Sequence, residues 1–214
     1  MASGPPHIIS YGEDPLTLNI LSSRLDEVLS ALGDQTAPQS ALVIYRPSFG
    51  RGMGAHKATR QSTFGEFDAI LGTPAAAYFI ESKWHRSPEV KGDTIELRNT
   101  QVDRHRMLRW YRENWSPEFV GKWAAFAARC ASDFERMFPS SCLPPADSTL
   151  RLNIEFVLNQ LLECGSQTQD VVLYVGLAGC PQPKCVLPSE FRLVTLSYAG
   201  LADTGYFDMG CRAV

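Results

Sequence analysis

The sequence predicts a single-domain α/β protein whose core elements follow the order helix, three strands, helix, strand. The chain has 214 residues, and one hydrophobic core commonly serves a chain of that length. Three short segments with strand-type apolar spacing lie in the first half of the chain, between stretches with helical spacing. A fourth apolar segment, residues 171–177, is typical of a strand buried on both faces. Together these patterns place the chain in the α/β class.

The first predicted helix covers residues 14–32, and a short strand follows it. Asp14 with Pro15 is a favourable cap and first-turn pair. Apolar residues then recur at helical spacing until Gly33 stops the run. After a polar linker, the apolar residues 41–45 predict a buried strand that leads into a glycine-rich basic loop.

A β-hairpin is the next predicted element, with strands over residues 64–71 and 77–84 joined by a turn over residues 72–74. If the turn is centred between Pro74 and Ala75, the register of the two strands is fixed. Three pairs of residues then lie opposite one another: Leu71 with Tyr78, Asp68 with Glu81, and Glu66 with Lys83.

The rest of the chain predicts three helices and two further strands. Asp93 with Glu96 resembles a capping box that opens a long helix ending near Trp115, and Pro117 starts the next helix. Residues 150–164 carry both alternating and helical apolar spacing, of which we favour the helix. The predicted elements are helices over 93–115 and 116–138, a helix that begins near Asn153, and strands over 171–177 and 191–198.

Composition and charge exclude several classes of protein. Twenty Lys and Arg residues against 23 Asp and Glu residues give a formal net charge of -3, which argues against binding of polyanions by the whole surface. Apolar runs are too short for a membrane span, and the N-terminal residues lack the pattern of a secretory signal. We therefore expect a cytoplasmic protein with no membrane association and with small, buried cysteines. Cys180 and Cys185 have unusual spacing for zinc ligands and no nearby histidine, so a zinc site is not favoured.

The predicted hairpin brings two acidic side chains together on one face. Directly opposed residues lie roughly 5 Å apart at Cβ, so Asp68 and Glu81 would repel each other. A divalent cation offsets that repulsion, and Mg²⁺ binds through one or two protein carboxylates and water. Lys83, on the same strand face as Glu81, is placed to polarise a water or to neutralise a phosphate. The alternative is a cross-strand ion pair between Glu66 and Lys83 at a solvated face.

Two segments of the hairpin resemble the motif of the PD-(D/E)xK nuclease superfamily. They are residues 65–70, with the sequence GEFDAI, and residues 78–84, with the sequence YFIESKW. Members of this superfamily include type II restriction enzymes and Holliday-junction resolvases. The motif has an acid on the second strand of a three-stranded meander and an acid-x-Lys on the third. Phe67 stands where the motif has Pro, and the acids and the lysine are in place.

The resemblance implies a restriction-endonuclease-like fold, with an αβββαβ core in which helices flank a mixed central sheet. The whole chain, residues 1–214, would then be a single nuclease-like domain. Its core would comprise about residues 14–115 and 171–198, and residues 116–170 would be a helical insertion.

The resemblance also implies roles for individual side chains. Asp68 and Glu81 would bind Mg²⁺, or Mn²⁺ in its place, together with the carbonyl of Ser82. Lys83 would assist the attacking water. Many relatives carry a further acid on the first helix, and the candidates are Asp26 and Glu27, which both lie off the apolar stripe. We choose Glu27, which is flanked by Ile20 and Ala31; the alternative is a solvated surface acid.

Gln101 and two basic segments complete the predicted site. Gln101 interrupts the apolar stripe of the long helix and could reach a metal-bound water or the phosphate; the alternative is a buried amide bonded to backbone. Residues 46–60 and 98–112 each carry a net charge of +4, which favours contact with nucleic acid, although such arginines also solvate a helix face. The residues chosen for nucleic-acid contact are Arg51, Lys57, Arg60, Arg104, Arg106 and Arg109.

These observations predict a Mg²⁺-dependent nuclease, an endonuclease by resemblance, that hydrolyses phosphodiester bonds of DNA through a metal-activated water. RNA stays open as a substrate, and restriction-like enzymes often work as homodimers. The alternative prediction is a nucleic-acid-binding or assembly protein on the same fold that lacks catalysis.

Overall fold

Helices and strands occur along the chain largely where the apolar spacing predicts them. The computed structural model describes residues 8–50, 65–201 and 204–209. Within these residues the α-helices are α1 (Glu13–Ser23), α2 (Leu25–Leu32), α3 (Asn99–Asn114), α4 (Trp123–Met137) and α5 (Thr149–Leu161). None of the described helices is long and apolar enough to cross a membrane. The strands are β1 (Ile9–Tyr11), β2 (Leu42–Tyr45), β3 (Ser48–Phe49), β4 (Gly65–Glu66), β5 (Ala69–Gly72), β6 (Ala76–Trp84), β7 (Val90–Lys91), β8 (Thr94–Glu96), β9 (Gln167–Leu177), β10 (Cys185–Leu187), β11 (Arg192–Tyr198) and β12 (Tyr206–Asp208).

A mixed five-stranded sheet lies at the centre, in the order β11-β9-β6-β5-β2. β2, β5 and β6 form an antiparallel meander, whereas β9 runs parallel to β6 and β11 runs parallel to β9. Every residue of β6 is buried, as expected of a strand with neighbours on both sides and layers on both faces. The predicted α/β class is therefore confirmed.

Helices cover both faces of this sheet. The side chains of β6 alternate between the two faces, so each helical layer packs on a different set of β6 residues. Tyr78, Ile80 and Trp84 pack on one face with apolar residues of α1 and α2. Ala77 and Phe79 pack on the other face with residues of α3, α4 and α5. The segment expected to be an insertion thus supplies two helices to the main core.

The first predicted helix is interrupted at Arg24, whose backbone adopts φ -134° and ψ 30°. Leu16 and Ile20 of α1 and Val28 and Leu29 of α2 are all buried in the same core. The break lets two short helices follow the twisted sheet, and α1 contacts β6 whereas α2 contacts β11. The prediction of one continuous helix over residues 14–32 was therefore wrong at this point.

The long helix begins at Asn99 and not at Asp93. Thr94–Glu96 instead forms β8, which pairs in parallel with Cys185–Leu187 and antiparallel with β7. Ile95 is fully buried in a small apolar cluster that includes Val186 and Phe191. Of the acidic pair that resembled a capping box, Asp93 lies in a turn and Glu96 in β8, because burial of Ile95 outweighs the local signal.

The cysteines differ in burial. Cys130 is buried, whereas Cys180 and Cys185 are exposed. The expectation of small buried cysteines is therefore right for the first residue and wrong for the other two.

Candidate active site

The predicted hairpin register is confirmed from Ala69 to Gly72, and the ladder does not extend to the predicted pairs Asp68 with Glu81 and Glu66 with Lys83. Leu71 of β5 lies opposite Tyr78 of β6, and the ladder ends at the pair Ala69 and Ile80. The chain bends at Asp68, one residue before β5 begins. The Asp68 side chain turns to β6 all the same, because its Oδ2 accepts a hydrogen bond of 2.6 Å from the backbone N–H of Ser82.

Glu66 does not face Lys83, contrary to the predicted register. It lies in β4, which pairs with β3 so that Glu66 is opposite Ser48. Its carboxylate binds the guanidinium of Arg46 at 2.9 Å. The alternative cross-strand ion pair between Glu66 and Lys83 is therefore not formed, because the bend at Asp68 separates β4 from β5.

An open cleft of about 420 Å³ lies at this end of the central sheet. Asp68, Glu81, Lys83 and Gln101, four of the predicted site residues, line it together. The remaining lining comes from the start of α1, from Arg46 after β2, from Glu66 of β4, from Trp84 and the segment after β6, and from the start of α3. Both acidic and basic side chains line the cleft, so its surface is strongly charged.

Glu81 is the most heavily bonded group of the cleft. It is 2% exposed, and its Oε1 accepts hydrogen bonds from Lys83 Nζ at 2.9 Å and from Gln101 Nε2 at 2.6 Å. Its Oε2 accepts a hydrogen bond from Arg104 Nη2 at 2.7 Å. Burial alone would raise the pKa of Glu81, but the surrounding His105, Lys83 and Arg104 side chains hold that pKa well below its usual value.

Asp68 has the opposite electrostatic environment. Burial, together with the neighbouring Glu81 carboxylate, raises the pKa of Asp68 to about 7. Lys83 and the Ser82 N–H offset only part of this effect. Asp68 is thus a carboxyl group with too little positive charge beside it.

Lys83 is buried and remains charged among the acids. Its ammonium donates to Glu81 Oε1 at 2.9 Å and to the carbonyl of Ser82 at 2.6 Å, and it lies 3.7 Å from Glu13 Oε1. Burial opposes the charge, but Glu81, Glu13 and Asp68 together raise the pKa of Lys83. This lysine therefore supplies a fixed positive charge to the cleft.

Glu13, and not Glu27, is the acid that the first helix brings to the cleft. Glu13 stands at the first position of α1 and accepts hydrogen bonds from Trp84 N–H at 3.2 Å and from the hydroxyl of Ser87. Burial raises the pKa of Glu13. Glu27 pairs with Arg24 at 2.6 Å on the surface, because the helix break directs it away from the sheet end. The prediction for Glu27 is corrected accordingly.

Gln101 makes the backbone hydrogen bond of the alternative and also binds a carboxylate of the cleft, whereas its contact with a metal-bound water or phosphate stays a prediction. Its Oε1 accepts a hydrogen bond of 2.8 Å from the backbone N–H of Arg98, which closes the first turn of α3. Its Nε2 donates to Glu81 at 2.6 Å. The amide therefore fixes the orientation of Glu81 relative to α3.

Three of the six residues predicted to contact nucleic acid lie in the described part of the chain. Arg104 lies inside the cleft, where it binds Glu81 and the carbonyl of Glu66. Arg106 and Arg109 do not line the cleft: their guanidinium groups bind Glu190 at 3.0 Å and the buried Asp170, respectively. Three others lie outside the described residues, and their assignment stays a prediction: Arg51, Lys57 and Arg60.

His105 is a buried neighbour of the site that the sequence analysis did not select. Its Nδ1 lies 2.8 Å from Asp170 Oδ1, and its Nε2 lies 3.8 Å from Glu81 Oε2. Burial lowers the pKa of His105. Its ring packs against Phe67 and Phe191, each with a centroid distance of 4.8 Å. The one feature of the sequence that could have identified His105 as buried is its position on the apolar stripe of α3, three residues after Val102.

The donor set of the cleft fits a hard divalent cation. Asp68, Glu81 and the carbonyl of Ser82 offer oxygen ligands, which Mg²⁺ prefers. The raised pKa of Asp68 marks a shortage of positive charge at these oxygens. Within the described residues no group of three or more His, Cys, Asp and Glu side chains is arranged to hold a metal, but Mg²⁺ keeps several waters and needs only one or two protein carboxylates.

Comparison with known proteins gives no relative: no family model, no curated protein and no solved structure matches the chain.

Proposed function

We propose that the chain is a Mg²⁺-dependent nuclease of the restriction-endonuclease-like fold that hydrolyses DNA. The observation that carries this proposal is the convergence of Asp68, Glu81 and Lys83 in one open cleft at the end of the central strand. Glu81 and Lys83 are 2% and 4% exposed. A charged cluster buried to this extent is costly to the fold, and such clusters concentrate at functional sites.

The topology of the sheet supports the fold part of the proposal. The motif requires its first acid at the second strand of a meander and its acid-x-Lys on the third. Asp68 directly precedes β5, the middle strand of the meander, and Glu81 and Lys83 lie on β6, the third strand. A helix, α3, follows the meander, and the next strand of the sheet, β9, runs parallel to β6. This order is compatible with the αβββαβ core that the resemblance implies, with β7, β8, α4 and α5 as additional elements.

Asp68 and Glu81 would hold the cation, with the carbonyl of Ser82 as a further ligand. When bound, Mg²⁺ would lower the pKa of a coordinated water and neutralise charge on the scissile phosphate. Lys83 is the chain's own source of positive charge beside that position, and its raised pKa keeps it protonated at neutral pH. It can orient a water or stabilise the negative charge that develops on the phosphate. Gln101 and Arg104 hold the Glu81 carboxylate in place from α3.

The proposal predicts that cleavage requires all three motif residues. Asp68→Ala, Glu81→Ala and Lys83→Ala should each lower the rate of DNA cleavage in Mg²⁺ by about a hundredfold or more. EDTA should abolish cleavage by the parent protein. The measurement is a cleavage assay on linear, circular, branched and single-stranded DNA and on RNA, in Mg²⁺ and in Mn²⁺, with circular dichroism to check folding.

Asp103→Ala is the matched control for this assay, because Asp103 is an acid on α3 with an exposed side chain and lies outside the cleft. It should cleave at the parent rate. Parent-rate cleavage by all three motif variants, or cleavage that persists in EDTA, would contradict the proposal.

A second candidate function is nucleic-acid binding or assembly without catalysis. It is favoured by one observation: Lys83, Gln101 and Arg104 already donate to both oxygens of Glu81, so protein groups neutralise this carboxylate on their own. This candidate predicts DNA binding with no cleavage on any substrate. It also predicts that Mg²⁺ and Mn²⁺ leave the melting temperature of the parent protein unchanged. The nuclease proposal predicts instead that the cation raises the melting temperature of the parent and not that of Asp68→Ala.

A further inference from the structure

Next to the cleft, the first and last described strands of the chain form a two-stranded ribbon with exposed aromatic rings. β1 pairs antiparallel with β12, so that Tyr11 lies opposite Tyr206. The two rings have a centroid distance of 5.1 Å, and the two residues are 49% and 48% exposed. Ile9, two residues before Tyr11, is 59% exposed and shares its side of the ribbon. An aromatic and aliphatic surface is therefore open to solvent.

Trp84 packs against this aromatic surface from the protein interior. Its indole ring meets the Tyr11 ring edge to face, with a centroid distance of 5.4 Å and an interplanar angle of 89°. Trp84 itself is buried at 9% exposure, so it holds Tyr11 in a fixed orientation. Tyr11 is thus a rigid, half-exposed ring, which is suited to binding a flat ligand at a low cost in conformational entropy.

A cation lies beside the same rings. The guanidinium of Arg86 is 5.9 Å from the centre of the Trp84 ring. Gly205 packs closely here: a Cβ at this position would come within 3.2 Å of the Arg86 guanidinium and 3.3 Å of the Tyr11 ring. Its φ of +82° is also one that favours glycine. The close packing of the Tyr11 ring and the Arg86 guanidinium on residue 205 therefore requires glycine at this position.

The chain connects this surface directly to the cleft. Trp84 follows Lys83 on β6, and Tyr11 precedes Glu13 by two residues. The backbone N–H of Trp84 donates to Glu13 Oε2 at 3.2 Å, and Trp84 also lines the cleft. The aromatic ribbon and the cleft therefore share Trp84, which packs on Tyr11 and also lines the cleft.

We propose that Tyr11 and Tyr206 form a stacking site for an unpaired nucleobase next to the phosphate that enters the cleft. The inference rests on the proposed function and names its substrate class, which is nucleic acid with a single-stranded segment. Every base has a flat π face that stacks on an aromatic ring, and such stacking tolerates any sequence. A base within a duplex already stacks on its neighbours, so the site selects unpaired strands. Arg86 adds attraction for the backbone and for the base.

Binding of labelled DNA to the full-length protein in EDTA tests this site without cleavage. The probes are a fluorescein-labelled single-stranded oligodeoxynucleotide and the duplex of the same sequence, followed by fluorescence anisotropy. The double substitution Tyr11→Ala with Tyr206→Ala should weaken single-strand binding by about 10- to 100-fold. Duplex binding should change by less than about twofold, since the duplex offers no unpaired base. The double substitution Tyr11→Phe with Tyr206→Phe keeps the rings and should bind as the parent does.

Phe156→Ala is the matched control, because Phe156 is an aromatic residue of α5 with 59% exposure. It should leave both affinities unchanged. A single-stranded probe with 2-aminopurine gives a second readout: stacking quenches its fluorescence in the parent and in the Phe variant, and quenching is lost in the Ala variant. Circular dichroism and melting temperature show whether the Ala variant is folded; if it is not, Tyr206→Ala alone replaces it.

Equal single-strand affinity of the folded Ala variant and the parent would overturn the stacking site, as would equal losses on single strands and duplex. The outcome is separable from that of the nuclease proposal. If Lys83→Ala abolishes cleavage while the tyrosine variants bind normally, the nuclease stands and the stacking site fails. If no cleavage is found but single-strand binding needs both rings, the stacking site stands and catalysis fails.

Discussion

Glu13 connects three parts of the site through one carboxylate. Its Oε2 binds the backbone of β6 at Trp84 and the hydroxyl of Ser87 in the following loop. Its Oε1 lies 3.7 Å from the ammonium of Lys83. Burial raises the pKa of Glu13, and the contacts with Lys83, Ser87 and Trp84 offset part of that rise. We infer that the carboxylate keeps Lys83 charged and oriented.

Glu13→Gln should therefore lower the cleavage rate in Mg²⁺ by about 10- to 100-fold. Glutamine has the same shape and still offers an oxygen to the Trp84 N–H, but it removes the negative charge that faces Lys83. The matched change Glu27→Gln removes only an exposed ion pair with Arg24, worth about 0–1 kcal/mol, and should cleave at the parent rate. Single-turnover kinetics on one substrate measures both. Equal rates for Glu13→Gln and the parent would show that Glu13 is dispensable.

Sequence reasoning found the residues whose place follows from the hairpin register. Side-chain alternation and one turn position were enough to bring Asp68, Glu81 and Lys83 together. Glu13 was not found in this way, and Arg104 was selected for nucleic-acid contact and not as a partner of Glu81. The break at Arg24 and the way α3 packs on the sheet decide which side chains of these helices reach the cleft, and both depend on contacts far along the chain.

The hairpin turn is anchored to the end of α2 at the opposite end of the sheet from the cleft. Asp34 follows Gly33, the left-handed residue that ends α2. Asp34 Oδ2 accepts hydrogen bonds from the hydroxyl of Thr73 at 2.7 Å and from the hydroxyl of Tyr78 at 2.8 Å. Burial by itself raises the pKa of Asp34, but the hydrogen bonds from Thr36, Thr73 and Tyr78 lower it below its usual value.

Asp34→Asn should destabilise the protein by about 1–3 kcal/mol at pH 7, because Thr73 and Tyr78 lose a charged acceptor. A lowered pKa contributes stability that is present above the unfolded-state value and is lost as pH falls through the folded-state value. The difference between the parent and Asp34→Asn should therefore shrink as the pH falls from 7 towards about 4 and below. Urea unfolding at several pH values measures it. Asp26→Asn, on the exposed side of α2, is the control, and a difference that grows towards low pH would contradict the assignment.

Elements were predictable where local periodicity agreed with tertiary packing. The meander and β9 follow from apolar spacing, and the register at Leu71 and Tyr78 follows from the turn. β1 and β12 were not predicted, because they are short strands from opposite ends of the chain and only their pairing makes them strands. β8 was missed for a similar reason, since its partner β10 lies far along the sequence.

Within the described residues, basic charge is more closely balanced by acidic side chains than the sequence pattern indicates. Residues 98–112 carry an excess of basic charge in sequence, but four of their five arginines have acidic partners from other elements; Arg112 instead donates to Thr168 and to backbone carbonyls. Arg98 binds Glu89 at 2.6 Å, and Arg104, Arg106 and Arg109 bind Glu81, Glu190 and Asp170. Counterion release on DNA binding is strongest for cations without such partners. We therefore expect α3 to contribute less to the salt dependence of binding than its sequence predicts.

The segment with Arg51, Lys57 and Arg60 carries the remaining sequence-based prediction of nucleic-acid contact. Replacement of all three by Ala should reduce the slope of log affinity against log salt by about 2–3, since each phosphate contact contributes about 0.7–0.9. Arg106→Ala is the control, because the Glu190 carboxylate already neutralises this guanidinium in part, and it should change the slope by less than about 0.5. Binding of duplex and single-stranded DNA in EDTA across a series of salt concentrations measures the slope. A triple variant with the parent slope, or an Arg106→Ala variant with the larger loss, would show that the phosphate contacts lie on α3 and that the acidic partners do not suppress them.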